Sequence, residues 1–179
     1  MTFAGYLAET LLPALVLARG RCQAFVEAVV AAILEEQPRV VGFTLNSHQT
    51  TASLAAARVL KASANPPIVV LGGSNCHGEM GLQMLKSFPF VDFVCTGEGD
   101  EVLPEFLRSL KSAKGLITRG DCLSAPAAVH TMDALPIPDF FDFFEQAENH
   151  PDLGPFFMPL ETSRGCWWGQ KFQCKFCAF

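Results

Sequence analysis

The hydrophobic and polar positions of the chain alternate between helix-like and strand-like runs. The first twenty residues show no clean period, but from Cys22 the residues Phe25, Val26, Val29, Val30 and Ile33 recur at a helical spacing and form one face. Pro38 ends that run, and residues 39–45 are a short apolar stretch rich in β-branched and aromatic side chains, the pattern of a buried strand. Ala52, Ala55, Ala56, Val59 and Leu60 then fit the helical template, with Thr50 or Thr51 as the expected cap. Pro66 and Pro67 close this helix and open a strand at 68–71.

The same grammar repeats. A Gly72-Gly73-Ser74-Asn75 loop leads to a helix at about 78–88, with Gly81, Met84, Leu85 and Phe88 on one face. Residues 91–96 read as another buried strand, and Gly97-Glu98-Gly99-Asp100 leads into a helix expected to turn Leu103, Phe106, Leu107 and Leu110 inward, with Asp100 as its cap. Strands and helices in strict alternation predict an α/β fold: a flavodoxin-like, Rossmann-like parallel sheet with right-handed crossovers and helices on both faces. Past Lys114 the pattern changes. Residues 116–119 and 127–131 read as short strands of a hairpin or arm, and Leu135-Pro136-Ile137-Pro138-Asp139 is a proline-rich stretch. Residues 156–162 read as a new strand. The expected organisation is therefore a domain over 1–114, a linker or arm over 115–155, and the start of a further domain over 156–179.

Composition narrows the class. With 179 residues, 50% of them hydrophobic and 17% charged, the chain can bury a core and is neither a disordered tail nor a solvated coiled coil. A net charge of −5 without a basic cluster argues against nucleic acid. Sixteen Phe against one Tyr suit buried rings. No run approaches the roughly 18 apolar residues of a membrane span, and Glu9 with no preceding Lys or Arg argues against a signal peptide. A cytoplasmic, reducing location is expected, where the seven Cys serve as thiols or metal ligands.

In open α/β sheets ligands sit beyond the carboxyl ends of the strands. Three small polar loops lie there, at 44–50, 72–77 and 97–100. Gly72-Gly73 and Gly97 with Gly99 would let backbone approach a bulky ligand, although any strand-to-helix loop favours Gly and a polar cap. Glu98 reads as loop-exposed or as an acceptor for a ligand. His48 and His77 lie on the same rim and read as solvated or hydrogen-bonded.

Cysteine placement is uneven: Cys22, Cys76, Cys95 and Cys122 are scattered, whereas Cys166, Cys174 and Cys177 crowd the carboxyl end. Three thiolates that close can wrap one soft metal centre. Structural zinc wants four protein ligands, so a zinc site would need Cys122 or a distant His. A 4Fe–4S cluster held by three thiolates leaves one iron open to a substrate or cofactor.

Here the chain resembles a family. Cys174-Lys175-Phe176-Cys177 is similar to the second half of the cysteine motif of radical S-adenosylmethionine enzymes. The seven-residue gap after Cys166 and the run Ser163-Arg164-Gly165-Cys166-Trp167-Trp168-Gly169 resemble the ribosomal peptide (RiPP) maturation branch, which includes cobalamin-dependent C-methyltransferases. Val41-Gly42-Phe43-Thr44, Gly72-Gly73-Ser74-Asn75-Cys76, Gly97-Glu98-Gly99-Asp100 and the proline-rich stretch resemble the cobalamin-binding domain and linker of the same proteins.

The resemblance implies that Cys166, Cys174 and Cys177 hold a 4Fe–4S cluster whose open iron chelates S-adenosyl-L-methionine, with Phe176 near the adenine. Thr44, Gly72, Gly73, Gly97 and Glu98 would line a cobalamin pocket. Reductive cleavage of the sulfonium would give a 5′-deoxyadenosyl radical that abstracts hydrogen, with methylcobalamin as methyl donor. A precursor peptide as substrate and an external electron donor follow as partners, with neither nucleic acid nor membrane. Many such domains carry an Asp-x-His-x-x-Gly segment whose His is the lower cobalt ligand. Its absence here implies cobalamin without a lower His. The resemblance further implies that a first strand and helix and most of a radical barrel lie outside these 179 residues, so that this chain alone should not turn over. The non-enzymatic alternative is a flavodoxin-like binding module with a zinc-stapled tail. A nucleotide-binding domain using Gly72-Gly73 is a weaker reading, because the longer glycine fingerprint is absent.

Overall fold

The computed structural model describes residues 11–122, 125–150, 154, 156 and 158–172. These fall into two compact units that divide between Val129 and His130.

Among the described residues, the first helix of the first unit is α1, Leu12–Glu35. It starts ten residues earlier than the periodicity at Cys22 indicates. Residues 11–18 are apolar on every side, so no polar face betrays a helix there, and Pro13 sits in the first turn, where its missing N–H costs nothing. Strand β1, Val40–Thr44, follows, then helix α2, Thr50–Lys61, strand β2, Ile68–Gly72, a 3-10 turn at Ser74–Cys76, and helix α3, Glu79–Ser87. Strand β3 is Phe93–Cys95, helix α4 is Gly99–Ser109 and strand β4 is Leu116–Thr118.

The sheet order is β1-β2-β3-β4. β1 and β2 pair in parallel from Val40 opposite Ile68 to Thr44 opposite Gly72, and β2 pairs in parallel with β3. β4 runs antiparallel to β3, with Val94 opposite Ile117. The sheet is thus parallel-dominant, where the sequence pattern led to an all-parallel expectation, and 116–118 is a sheet strand instead of part of an arm. Residues 110–115 carry the chain from the end of α4 back to the carboxyl end of β3, where the Gly115 carbonyl accepts the Thr96 N–H at 2.8 Å, so β4 starts beside Cys95 and runs antiparallel.

Helices cover both faces, as the alternation of elements implies. On one face Val69, Leu71, Val94 and Ile117 pack with Ala57 of α2 and Leu85 of α3, and Val41 packs with Val30 of α1 and Ala56 and Leu60 of α2. On the other, Val70, Cys95 and Leu116 pack with Val102 and Phe106 of α4. Val102 and Phe106 of α4 turn inward and Leu110, at its end, packs on the same cluster, so Phe106 and Leu110 sit as expected while Leu103 and Leu107 face solvent, contrary to expectation.

Non-local polar bonds fix the strand order. Asp92 accepts the Val69 N–H at 2.7 Å and pairs with Lys61 Nζ at 2.8 Å, which also donates to the Pro67 carbonyl at 3.2 Å. Arg119, just past β4, donates to the carbonyls of Leu85, Phe88 and Val91 at 2.7, 3.3 and 2.9 Å, closing the orphan end of α3.

In the second unit the described elements are a 3-10 turn at Met132–Ala134, helix α5, Phe141–Glu148, and the short helix α6, Trp167–Lys171. Residues 156 and 158–162 carry no strand. Among the described residues no helix is long and apolar enough to cross a membrane.

Candidate functional site at the carboxyl edge of the sheet

Each strand of the parallel core ends in a loop that the rest of the chain holds in place. After β1, Asn46 makes the turn: its Oδ1 accepts the N–H groups of His48 and Gln49 at 3.0 and 3.1 Å, and its carbonyl accepts the Thr50 hydroxyl at 2.7 Å. Asn46, and not the side chain of Thr50 or Thr51, thus sets the entry of α2. After β2, the Leu45 N–H donates to the Gly72 carbonyl at 2.7 Å and the Asn75 N–H to the Leu45 carbonyl at 3.2 Å. Asn75 Nδ2 also donates to Thr50 Oγ1 at 2.9 Å, so the first two loops are stitched together.

The glycines of these loops have different reasons. Gly73 has φ +94°, and a Cβ there would lie 2.6 Å from the Leu45 carbonyl oxygen, so the chain's own backbone demands glycine. At Gly72 a Cβ would meet only the Cys95 Cβ, at 3.7 Å, an ordinary contact. Gly42, in the middle of β1, is exposed, and a Cβ there would meet nothing within 4 Å. Thr44 at the strand end is exposed as well. Internal packing therefore leaves Gly42 and Gly72 unexplained. Together with Thr44 they leave a side-chain-poor stretch of sheet running up to the edge where α/β sheets take ligands.

The third loop is engaged differently. The Glu98 N–H donates to the Ala127 carbonyl at 2.8 Å, and the Glu98 carboxylate accepts the Val129 N–H. A Cβ on Gly97 would overlap the Ala127 backbone, and one on Gly115, at φ +86°, would lie 2.6 Å from the Ala127 Cβ. Residues 125–129 thus return across the end of β3. The sequence pattern led to a strand of a hairpin or arm at 127–131, but residues 125–131 carry no strand; the seating of 125–129 on Gly97 and Glu98 left no pattern to read, because the bonds join main chain to main chain or carboxylate across some thirty residues. α4 begins at Gly99 with Glu98 as its boundary residue, and Asp100 lies in the first turn instead of capping it; an acid there still favours the helix end electrostatically.

Beneath these loops two thiols are buried. Cys76 is fully buried and its thiol is pushed up to about 12 by burial, and secondarily by Cys95. Cys95 is also raised by burial, although its Sγ contacts the Gly97 carbonyl oxygen at 3.5 Å, which works the other way. Both stay protonated at neutral pH, so neither is a ready thiolate ligand. His48 and His77 are exposed on the rim.

A cavity of about 840 Å³ lies elsewhere, at the amino ends of the strands, between Leu34, Pro38, Arg39, Pro66, Pro67 and Leu110. Its position opposite the carboxyl edge removes it from consideration as the primary site.

In the second unit Cys166 is an exposed free thiol at the start of α6, its Sγ accepting the Gly169 N–H at 3.4 Å. Trp168 stacks on Phe172 at 4.4 Å between ring centroids. Cys174, Phe176 and Cys177 lie outside the described residues. Among the described residues no cluster of three His, Cys, Asp or Glu could hold a metal.

No curated protein matches the chain. A family model, the B12 binding domain, matches residues 10–107, more than half of the 179 residues, and the chain belongs to that family.

Proposed function

We propose that this chain is the cobalamin-binding part of a radical S-adenosylmethionine enzyme that modifies a ribosomally made precursor peptide, with C-methylation as the reaction. The observation that carries the reading is the joining, in one chain, of a B12-binding domain to Cys166 and the closely spaced Cys174 and Cys177.

Thr44, Gly72 and Gly73 are the residues that would bear cobalamin, on the open floor they share with Gly42; Gly97 and Glu98 would bound the same edge. Cys166, Cys174 and Cys177 would hold a 4Fe–4S cluster, and Phe176 would lie by the adenine of S-adenosylmethionine. The chemistry supplied by the bound groups would be methyl carriage by cobalamin and reductive cleavage of S-adenosylmethionine by the cluster, fed by an external electron donor. The chain's own part is to position these groups and to keep water from them. The exposed Cys166 thiol supports this role, since a ligand must be reachable by incoming iron.

The test is anaerobic reconstitution with iron and sulfide. Iron and sulfide near four each per chain are expected for a 4Fe–4S cluster, with loss of both when Cys166, Cys174 and Cys177 are all changed to Ala. Zinc at one per chain without sulfide would mark a zinc-stapled module and overturn the radical assignment.

A further inference from the structure

Gly97 and Glu98 stand apart from the other loop residues because residues 125–129 already lie on them. Three features independent of one another build this seat. The Glu98 N–H and carboxylate take two groups that flank Ala128, the Ala127 carbonyl and the Val129 N–H, much as a neighbouring strand would. Gly97 leaves no room for a Cβ beneath Ala127. Gly115, across from it, takes a positive φ and leaves room for the Ala127 methyl. A loop that merely tolerated a passing chain would not need two glycines and a carboxylate.

We propose that Glu98 is a positioning residue. It seats residues 125–129 as a fixed wall over the Gly97 end of the carboxyl edge, so that the ligand meets the Thr44, Gly72 and Gly73 end directly and the Gly97 end through this wall. The inference rests on the cobalamin reading for the identity of the ligand, but the seat itself does not.

A reporter lies directly below. Cys95 is only 6% exposed, its Sγ is 3.5 Å from the Gly97 carbonyl oxygen, and a Cβ on Gly99 would lie 3.9 Å from that sulfur. The experiment compares the 179-residue chain with Glu98→Ala, Glu98→Gln and Val129→Pro. It follows amide exchange at Val129, peptide-mapped alkylation of Cys95 by iodoacetamide, and hydroxocobalamin affinity. Loss of the bond in Glu98→Ala should speed Val129 exchange roughly tenfold or more and raise Cys95 alkylation several-fold. Glu98→Gln should retain most of the protection, because its amide oxygen still accepts. Val129→Pro, which removes the donor without touching the loop, should reproduce the Cys95 effect. It also decides the matter if Glu98→Ala melts the whole sheet.

Wild-type Val129 exchange in Glu98→Ala, together with wild-type Cys95 alkylation in both Glu98→Ala and Val129→Pro, overturns the seat, as does Glu98→Gln behaving like Glu98→Ala. A released segment with unchanged hydroxocobalamin affinity overturns the wall. Failure of every form, wild type included, to bind hydroxocobalamin overturns the wall together with the cobalamin reading, while the exchange and alkylation results still decide the seat.

Discussion

Asn75 Nδ2 donates to Thr50 Oγ1 at 2.9 Å, and the same hydroxyl donates to the Asn46 carbonyl at 2.7 Å. One threonine at the start of α2 therefore couples the loop after β1 to the loop after β2. Thr50→Val and Asn75→Ala should each cost about 1 kcal/mol, and the double variant should cost less than the sum by about 0.5–1.5 kcal/mol. Urea unfolding of the four forms measures the coupling, and strict additivity would show that the two loops are independent.

Gly73 and Gly72 should separate in the same assay. Gly73→Ala places a Cβ 2.6 Å from the Leu45 carbonyl oxygen at a φ of +94°, and should cost about 2 kcal/mol or more. Gly72→Ala makes only an ordinary contact with Cys95 and should change stability by less than about 1 kcal/mol. Equal losses would mean that Gly72 is also a packing glycine, and the open floor would go with it.

Arg119 ties the end of α3 to the segment that follows it, with bonds to the Leu85, Phe88 and Val91 carbonyls. Arg119→Lys keeps the charge but loses the planar fork, so it should cost about 1–2 kcal/mol and speed amide exchange in the last turn of α3 before the rest of the sheet. Uniform loss of protection across the sheet would contradict a local role.

Cys76 gives a pH dependence with a definite sign. Its thiol is raised from 9.0 to about 12 in the folded chain, so the folded state holds its proton more tightly than the unfolded state does. Stability from this group is complete below pH 9 and is lost as pH rises toward about 12, with a slope of at most about 1.4 kcal/mol per pH unit. Melting curves between pH 8 and about 11 should fall more steeply for wild type than for Cys76→Ala, and equal slopes would remove Cys76 as the cause.

The regular core was legible in the sequence because burial writes itself into periodicity. Val30 and Ile33, Ala56 and Leu60, and Leu85 all sit on the helical faces that their spacing indicates. Where no contrast existed, nothing could be read: residues 11–18 are apolar on every side, and the α1 start was missed. β4 has three residues, and its direction depends on the length of the return from α4, a tertiary matter. At the site, Thr44 and the Gly72-Gly73 loop were visible because ligand-edge loops of α/β sheets are small and polar. The seat on Gly97 and Glu98 was not, since Ala127 and Val129 contribute backbone groups that any residue except proline can offer.

The proposed seat for cobalamin is the floor made by Thr44, Gly72 and Gly42. Its most direct test is to incubate the 179-residue chain and Gly72→Leu with hydroxocobalamin and measure what co-elutes on gel filtration. Close to one cobalamin should be retained per wild-type chain and none on Gly72→Leu, with the two circular dichroism spectra alike. No retention by wild type, or undiminished retention by a folded Gly72→Leu, would contradict it.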